Sequence, residues 1–272
     1  MYNAEKALHS KVFAQNFLKD PAIARKLIRA SQISANDTVI EIGPGEGVIT
    51  RELARVAGKI IAVESDQKLA TKLKKTFEAQ KNVIVENSDF LNYKIDERTY
   101  KVFSNIPFNI TNQIVKKLLY AANPPTDTWL FTQKEAAERL AGIVHEQEFS
   151  ILTKPWFSYQ IKHQFNREDF VPMPKVDVVL LHICRHENEL LPQSEKEAYT
   201  RFVEYGYRQQ KKNLAANFEK IFTYEQFKRL AKDLKFPREV LTSDLRVEPW
   251  IELYRFFSSR VEAAKKKLIY YT

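Results

Sequence analysis

Three of the chain's six glycines, Gly43, Gly45 and Gly47, fall within five residues of one another in the stretch T-V-I-E-I-G-P-G-E-G (38–47). An apolar, mostly β-branched run, Val39-Ile40-Glu41-Ile42, leads in, and a helical pattern over 48–57 leads out. The order is strand, glycine turn, helix. Glycine is required where a backbone turns tightly and approaches a ligand with no Cβ in the way. The first amides of the following helix then point at that ligand. A nucleotide-like cofactor is the expected occupant; the competing reading is a plain structural turn.

Alternation continues on both sides of this stretch. Asp20-Pro21 reads as N-cap and first residue of a helix reaching about Ser31. Strands are expected over 59–65, 82–87, 100–106 and 128–133, and helices over 66–78, 111–121 and 134–142. Later strands over 159–165 and 176–183 flank the loop F-V-P-M-P (170–174) and suggest a hairpin that finishes the sheet. Such alternation implies a mostly parallel sheet covered on both faces, with ligands beyond the carboxyl ends of its strands. From 194 onward only helical periodicity remains, broken at Pro237 and Pro249. The expected division is therefore 1–188, with a basic lead-in, and a small all-helical domain over 189–272.

At 272 residues and 44% apolar composition, the chain can bury a sizeable core. Its single cysteine, Cys184, excludes an intramolecular disulfide and fits a reducing cytoplasm. No run approaches the ~18 apolar residues of a membrane helix, so no membrane partner is expected. The net charge of +9 is unevenly placed. Residues 1–30 carry six Lys/Arg against two Asp/Glu, and 189–272 carry seventeen against twelve, while the middle balances at twenty of each. An acidic partner gripped from both flanks explains this, and nucleic acid is the class favoured over ordinary solvated charge.

The polar clusters sit at strand ends. Glu64 closes the second strand, where a carboxylate can accept both ribose hydroxyls of a nucleoside; this alone leaves NAD and other adenosine cofactors open. Asp89-Phe90 closes the third, offering an acid for an adenine amine and a ring for its face. Asn105-Ile106-Pro107-Phe108 closes the fourth. Pro107 stiffens the turn, leaving the Asn105 side chain and nearby carbonyls to hold an exocyclic NH₂ while Phe108 stacks on its base.

These stretches, with Q-N-F-L (15–18), E-I-G-P-G-E-G (41–47), V-E-S-D (63–66), S-D-F (88–90), N-I-P-F-N-I-T (105–111), Q-K-E-A-A-E-R-L (133–140) and F-V-P-M-P-K-V-D (170–177), resemble the rRNA adenine-N6 (di)methyltransferase family. That family includes Erm-type macrolide-resistance enzymes and the housekeeping small-subunit dimethyladenosine transferases. The resemblance runs over roughly 9–185. It implies a class I, Rossmann-like methyltransferase with a mostly parallel seven-stranded sheet, a small C-terminal all-helical RNA-binding domain and S-adenosylmethionine as cofactor. Carried over residue by residue, it places Asn16 and Leu18 against the cofactor, with Gly43 and Gly45 in the turn beside its amino-acid portion. Glu64 would hold the ribose, Ser65 and Phe90 would lie against the adenine, and Asp89 would take its amino group. Asn105 would sit at the reaction centre with Ile106 and Pro107, Phe108 would stack on the target adenine, and Phe170 would close its other face. Two departures stand out: Ser65 replaces the usual apolar residue between acids, and Phe108 replaces the commoner Tyr.

The implied chemistry is direct methyl transfer to adenine N6, dominated by positioning, on an adenine unstacked from its neighbours. A monomer is expected, with ribosomal RNA as partner. Asn105-Ile106-Pro107 favours 23S rRNA at the macrolide site, hence resistance, because the 16S group more often has Leu at the middle position. The alternatives are a 16S dimethyltransferase, a catalytically silent RNA-binding factor and, more remotely, an NAD oxidoreductase. Lys11, Arg208, Lys211 and Lys212 are the expected phosphate contacts. His182-x-Cys184-x-His186 would place three metal ligands on one strand face. No fourth ligand is evident, so the pattern is read as chance alternation and no metal is expected.

Overall fold

The computed structural model describes residues 16–209 and 211–270; Lys11 lies outside them. Two compact units divide the chain. One runs to Ala137 and resumes over Tyr159–Arg185, and the other takes Glu138–Ser158 and everything described from His186. The divide expected at 188/189 therefore falls at 185/186, and an internal segment joins the second unit.

In chain order the elements up to that segment are β1 (Phe17–Leu18), α1 (Pro21–Ala30), β2 (Thr38–Ile42), α2 (Val48–Leu53), β3 (Lys59–Glu64), α3 (Gln67–Thr76), β4 (Val83–Asn87), β5 (Lys101–Asn105), α4 (Thr111–Leu119), β6 (Asp127–Gln133) and α5 (Lys134–Ala141). They are followed by α6 (Glu148–Thr153), β7 (Phe157–Gln164), β8 (Phe170–Val171) and β9 (Val178–Arg185). The main sheet has seven strands in the order β4-β3-β2-β5-β6-β9-β7. The β4-β3-β2-β5-β6 neighbours are parallel and β9 is antiparallel to β6. The expected elements are present, with ends shifted by a few residues. A parallel sheet buried on both faces demands continuous apolar runs, and Ile40, Ile60, Val102 and Leu130 are accordingly fully buried.

Local chemistry sets the element ends. Asp20 accepts the Ala22 amide at 2.8 Å and Pro21 opens α1. Buried Glu52 of α2 is held by Arg25 of α1 and by Arg55, each at 2.8 Å, and the Arg25 hydrogen bond lowers its carboxyl below the ordinary range. The chain winds from β2 through β3 to β4 on one side, then from β5 to β6 on the other, so the order reverses between β2 and β5. That reversal opens a crevice at the strands' carboxyl ends. The β2–β5 register pairs only Val39 with Lys101 and Ile40 with Val102. Beyond it, the buried Ser104 hydroxyl takes over, accepting from the Ile42 amide at 3.1 Å and donating to the Ile42 carbonyl.

The sequence did not reveal a two-stranded sheet in which β1 pairs antiparallel with β8, Phe17 opposite Val171 and Leu18 opposite Phe170. The part of the aromatic lead-in that is described is thus tied to the F-V-P-M-P loop.

In the second unit, α6 is joined by α7 (Lys196–Arg208), α8 (Leu214–Asn217), α9 (Tyr224–Asp233), α10 (Val247–Arg260) and α11 (Ala263–Tyr270). Its core is aromatic: Phe202, Phe218, Trp250, Tyr254 and Phe257 are essentially inaccessible. Buried Tyr199 of α7 donates its hydroxyl to the Ile151 carbonyl at 3.2 Å, which is why α6 belongs with the helices. No described helix is long and apolar enough to cross a membrane.

Candidate active site

The glycine turn has the backbone that its composition requires. Gly43, Gly45 and Gly47 have φ of 63°, 58° and 77°, a region that side chains with a Cβ rarely adopt. Gly43 donates to the Val63 carbonyl at 2.9 Å, fixing the turn to the end of β3. The Gly45 amide donates to Glu64 Oε2 at 3.1 Å and the Asp66 amide to Oε1 at 2.9 Å. Glu64 is buried. Its carboxylate is thus aimed by two backbone donors and retains lone pairs for a hydroxyl-bearing ligand.

A second buried acid lies on the same side. Glu41 of β2 accepts from Thr50 Oγ1 at 2.6 Å and lines a narrow cleft with Phe17, Gly43 and Asn105. Burial pushes its carboxyl up to about 8; the Thr50 hydrogen bond opposes the shift and the charge of Glu64 adds to it. The sequence motif alone assigns Glu41 no role. The signal available was an acid inside an otherwise apolar, buried strand.

The facing wall is built from β5 and the lead-in. Asn105 Nδ2 donates to the Asn16 carbonyl at 2.6 Å, and Asn16 Nδ2 donates to the Pro172 carbonyl at 2.6 Å. With its amide nitrogen so engaged, Asn105 presents Oδ1, which takes no hydrogen bond among the described residues. The Phe17 ring covers Gly45 so closely that a Cβ there would lie 2.3 Å from Cε1. Leu18 is buried and borders the same cleft. Asp89 and Ser65 are exposed beyond the ends of β4 and β3, and Asp89 Oδ1 accepts the Leu91 amide at 3.0 Å.

After Asn105, Pro107 (φ −61°) leads into a turn of 3₁₀ helix, Phe108–Ile110. Phe108 is half-buried, whereas Ile106 is core, leaving only its backbone to face a ligand. Leu18, Gly43 and Asn105 thus line one crevice, to which Asn16 is tied through Asn105 and Glu64 through the Gly45 amide. Ser65, Asp89 and Phe108 follow the carboxyl ends of β3, β4 and β5.

Two expected rings are not available there. Phe170 is fully buried, with its ring edge-on to Phe165 at 5.3 Å, because pairing with Leu18 turns it into the core. The exposed residues of that loop are Val171, Pro172 and Met173. Phe90 is likewise buried, and Lys117 Nζ stands 5.3 Å above its ring while donating to the Leu91 and Tyr93 carbonyls.

Of the expected phosphate contacts, Arg208 pairs with Glu204 at 2.9 Å and Lys211 with Glu219 at 2.7 Å. Lys212 is exposed and makes no ion pair among the described residues. The three-ligand strand pattern is also regrouped: His186 Nε2 is 3.1 Å from the Lys154 carbonyl oxygen, whereas His182 and Cys184 converge on Asp127.

Comparison with known proteins gives a consistent result. The family described as "Ribosomal RNA adenine dimethylase" matches residues 7–259. The chain is 28% identical to an rRNA adenine N-6-methyltransferase of Bacillus anthracis, over 91% of this chain and 86% of that one. It is 32% identical to a ribosomal RNA small subunit methyltransferase A of Chlorobium phaeobacteroides, over 91% and 89%. Among solved structures, the 23S rRNA methyltransferase ErmE superposes with a TM-score of 0.82 at 26% identity, over 90% of this chain and all of that one.

Proposed function

The chain belongs to the ribosomal RNA adenine dimethylase family, and from that premise we propose that it methylates N6 of the macrolide-site adenine of 23S rRNA, conferring macrolide-lincosamide-streptogramin B resistance. The family-level activity is that of an S-adenosylmethionine-dependent rRNA adenine N6-methyltransferase.

The donor set fits that cofactor. S-adenosylmethionine presents ribose hydroxyls, an exocyclic amine and an ammonium group, and the crevice offers acceptors at Glu64, Asp89 and Glu41. Neither Glu41 nor Glu64 has a cationic partner among the described residues. When bound, the cofactor supplies an electrophilic methyl group on a sulfonium. In the proposed site Glu64 holds the ribose, Asp89 takes the adenine amine, and Asn16, Leu18, Gly43 and Gly45 flank the amino-acid portion, with Ser65 at the adenine's edge. Phe90 and Phe170 are packed into the core.

Asn105 is the centre of the proposal. Its Oδ1 accepts an N6–H of the target adenine, while Asn16 fixes the amide plane. Holding that proton turns the nitrogen lone pair out of ring conjugation and towards the methyl group. Phe108 stacks on the extruded base and Pro107 keeps the turn rigid. Positioning of this kind supplies most of the rate, and no side chain has to act as a strong base. The proton leaving the methylated nitrogen passes to water. The helical unit, acting within a monomer, supplies RNA contacts, Lys212 foremost.

The observation that carries 23S rRNA as target is the likeness to ErmE along the whole of that chain, and Ile106 in the Asn-x-Pro turn points the same way. The 32% identity to a small-subunit enzyme favours 16S rRNA as second reading. Methyl transfer from labelled S-adenosylmethionine to purified, unmethylated 23S and 16S rRNA in parallel tests both. A single modified adenine at the macrolide site is the expected result. Adjacent modified adenines in 16S rRNA would move the protein to the housekeeping branch, and no transfer to either RNA or to assembled particles would overturn the activity.

A further inference from the structure

Asp127 and Trp129 of β6, and His182 and Cys184 of β9, lie on one face of the sheet, two residues apart on each strand. In the antiparallel register Asp127 faces Cys184 and Trp129 faces His182, so all four side chains are cross-strand neighbours. His182 Nε2 is 2.9 Å from Asp127 Oδ1. One ligating atom each from Asp127, His182 and Cys184 falls within 4.8 Å of the others. The Trp129 ring stacks on the imidazole at 3.8 Å and 13°, which holds its plane. Asp127 begins β6, so the cluster is at the opposite end of that strand from the methyl-transfer crevice.

We propose that Asp127, His182 and Cys184 form a binding site for a borderline-soft divalent cation of the Zn²⁺ kind, which staples β6 to β9, with water as the fourth ligand. Carboxylate oxygen, imidazole nitrogen and thiolate sulfur are together a donor set that zinc uses. Metal–ligand bonds of about 2.0 Å place two tetrahedral ligands about 3.3 Å apart, close to the 2.9 Å already separating Asp127 and His182. The ion takes the place of the proton these two share, and a small rotation brings in Cys184. The thiol proton goes to solvent, and Nε2 binds the ion as the lone-pair nitrogen of a neutral imidazole whose proton is carried on Nδ1. Charge also closes: carboxylate and thiolate balance the two positive charges of the ion. The nearby ammonium of Lys101, in register with Asp127, is already paired with Asp37 at 3.1 Å. The side chains of His182 and Asp127 are 14% and 24% exposed, shielded yet open enough for a water ligand.

Cobalt(II) titration of the full, reduced chain tests this directly. The chain has one cysteine, so any thiolate-to-cobalt charge-transfer band reports Cys184. The expected result is a near-ultraviolet band saturating at one equivalent and removed by Zn²⁺. Cys184→Ser should abolish it. Asp127→Asn, which keeps shape and can still accept from His182, and His182→Gln should each weaken cobalt affinity at least about tenfold, the loss that even an outer-shell partner carries. S-adenosylmethionine binding, measured on each variant, verifies that the sheet is intact. Absence of the band at stoichiometric cobalt, or undiminished affinity in both Asp127→Asn and His182→Gln, would overturn the site.

Discussion

The buried carboxylates of the two units are treated in opposite ways. In the helical unit Glu146 is met by Lys154 at 2.5 Å and by the Ser150 hydroxyl at 2.6 Å. In the catalytic unit Glu41 has a threonine hydroxyl and Glu64 has two backbone amides, and neither has a cation among the described residues. Glu52 sharpens the contrast, since it shares the catalytic unit but sits between two arginines away from the crevice. A buried acid with its own cation is structural; breaking it would strand a charge. Buried acids left without cations at strand ends suit the proposed ligand, which brings the complement. Apart from the paired Glu146, the helical unit has a core of aromatic packing, which fixes its shape.

The largest effect should come from the polar centre of the catalytic unit. Asn105→Ala is expected to lower methyl transfer by about 10²–10³-fold, the range for removing one transition-state hydrogen-bonding group, with S-adenosylmethionine binding changed little. Single-turnover rates and equilibrium binding on the same preparation check this. Retained turnover would remove Asn105 from the reaction centre.

Glu41 provides the next test. Its folded carboxyl is raised to about 8 from an ordinary value of 4.5, so the native state keeps a proton that the unfolded chain releases. The stability this contributes is fully present below about 4.5 and is lost as pH rises towards 8. The limiting slope is about 1.4 kcal/mol per pH unit. Denaturant unfolding of the wild type and Glu41→Gln between pH 5 and 8 should differ by a falling slope present only in the wild type. Equal slopes would mean that Glu41 holds no proton in the native state that the unfolded chain releases. In the other unit, Gly206 of α7 has no unusual φ, and helix propensity alone favours alanine there. Yet a Cβ would lie 2.7 Å from Trp250 and 2.9 Å from Phe218. Gly206→Ala should therefore destabilise by about 1–2 kcal/mol through overpacking, while cofactor affinity stays unchanged. A stabilised variant would show that the aromatic core is looser than its packing implies.

Legibility in the sequence followed the range of the interactions. Apolar runs ending in Glu64, Asp89 and Asn105 announce parallel strands and their carboxyl-end groups because both are local patterns. Phe170 was misplaced because its burial depends on pairing with Leu18 in a distant two-residue strand that no periodicity marks. Glu41 stands out in the sequence as an acid in an apolar strand, but its role becomes legible only with its partner, Thr50, which the following helix supplies. Asp127 escaped for the same reason: it joins His182 and Cys184 across a ladder, while His186, next in the alternation, bonds elsewhere.

The smallest effect lies on the basic surface, where the same logic of paired and unpaired charge applies. Lys211 and Lys212 are adjacent, yet Lys211 is bonded to Glu219 and Lys212 pairs with no acid among the described residues. A cation already neutralised releases few counterions on meeting a phosphate. Lys212→Ala should reduce the slope of log affinity against log salt by roughly 0.7, the value for one single-strand-like contact, and Lys211→Ala by less. RNA binding measured across a salt series separates the two. Equal losses would mean that RNA displaces Glu219 to reach Lys211. In that case the pair is a gate that nucleic acid opens, and exposed ion pairs of the helical unit, such as Arg208 with Glu204, would have to be counted with the contacts.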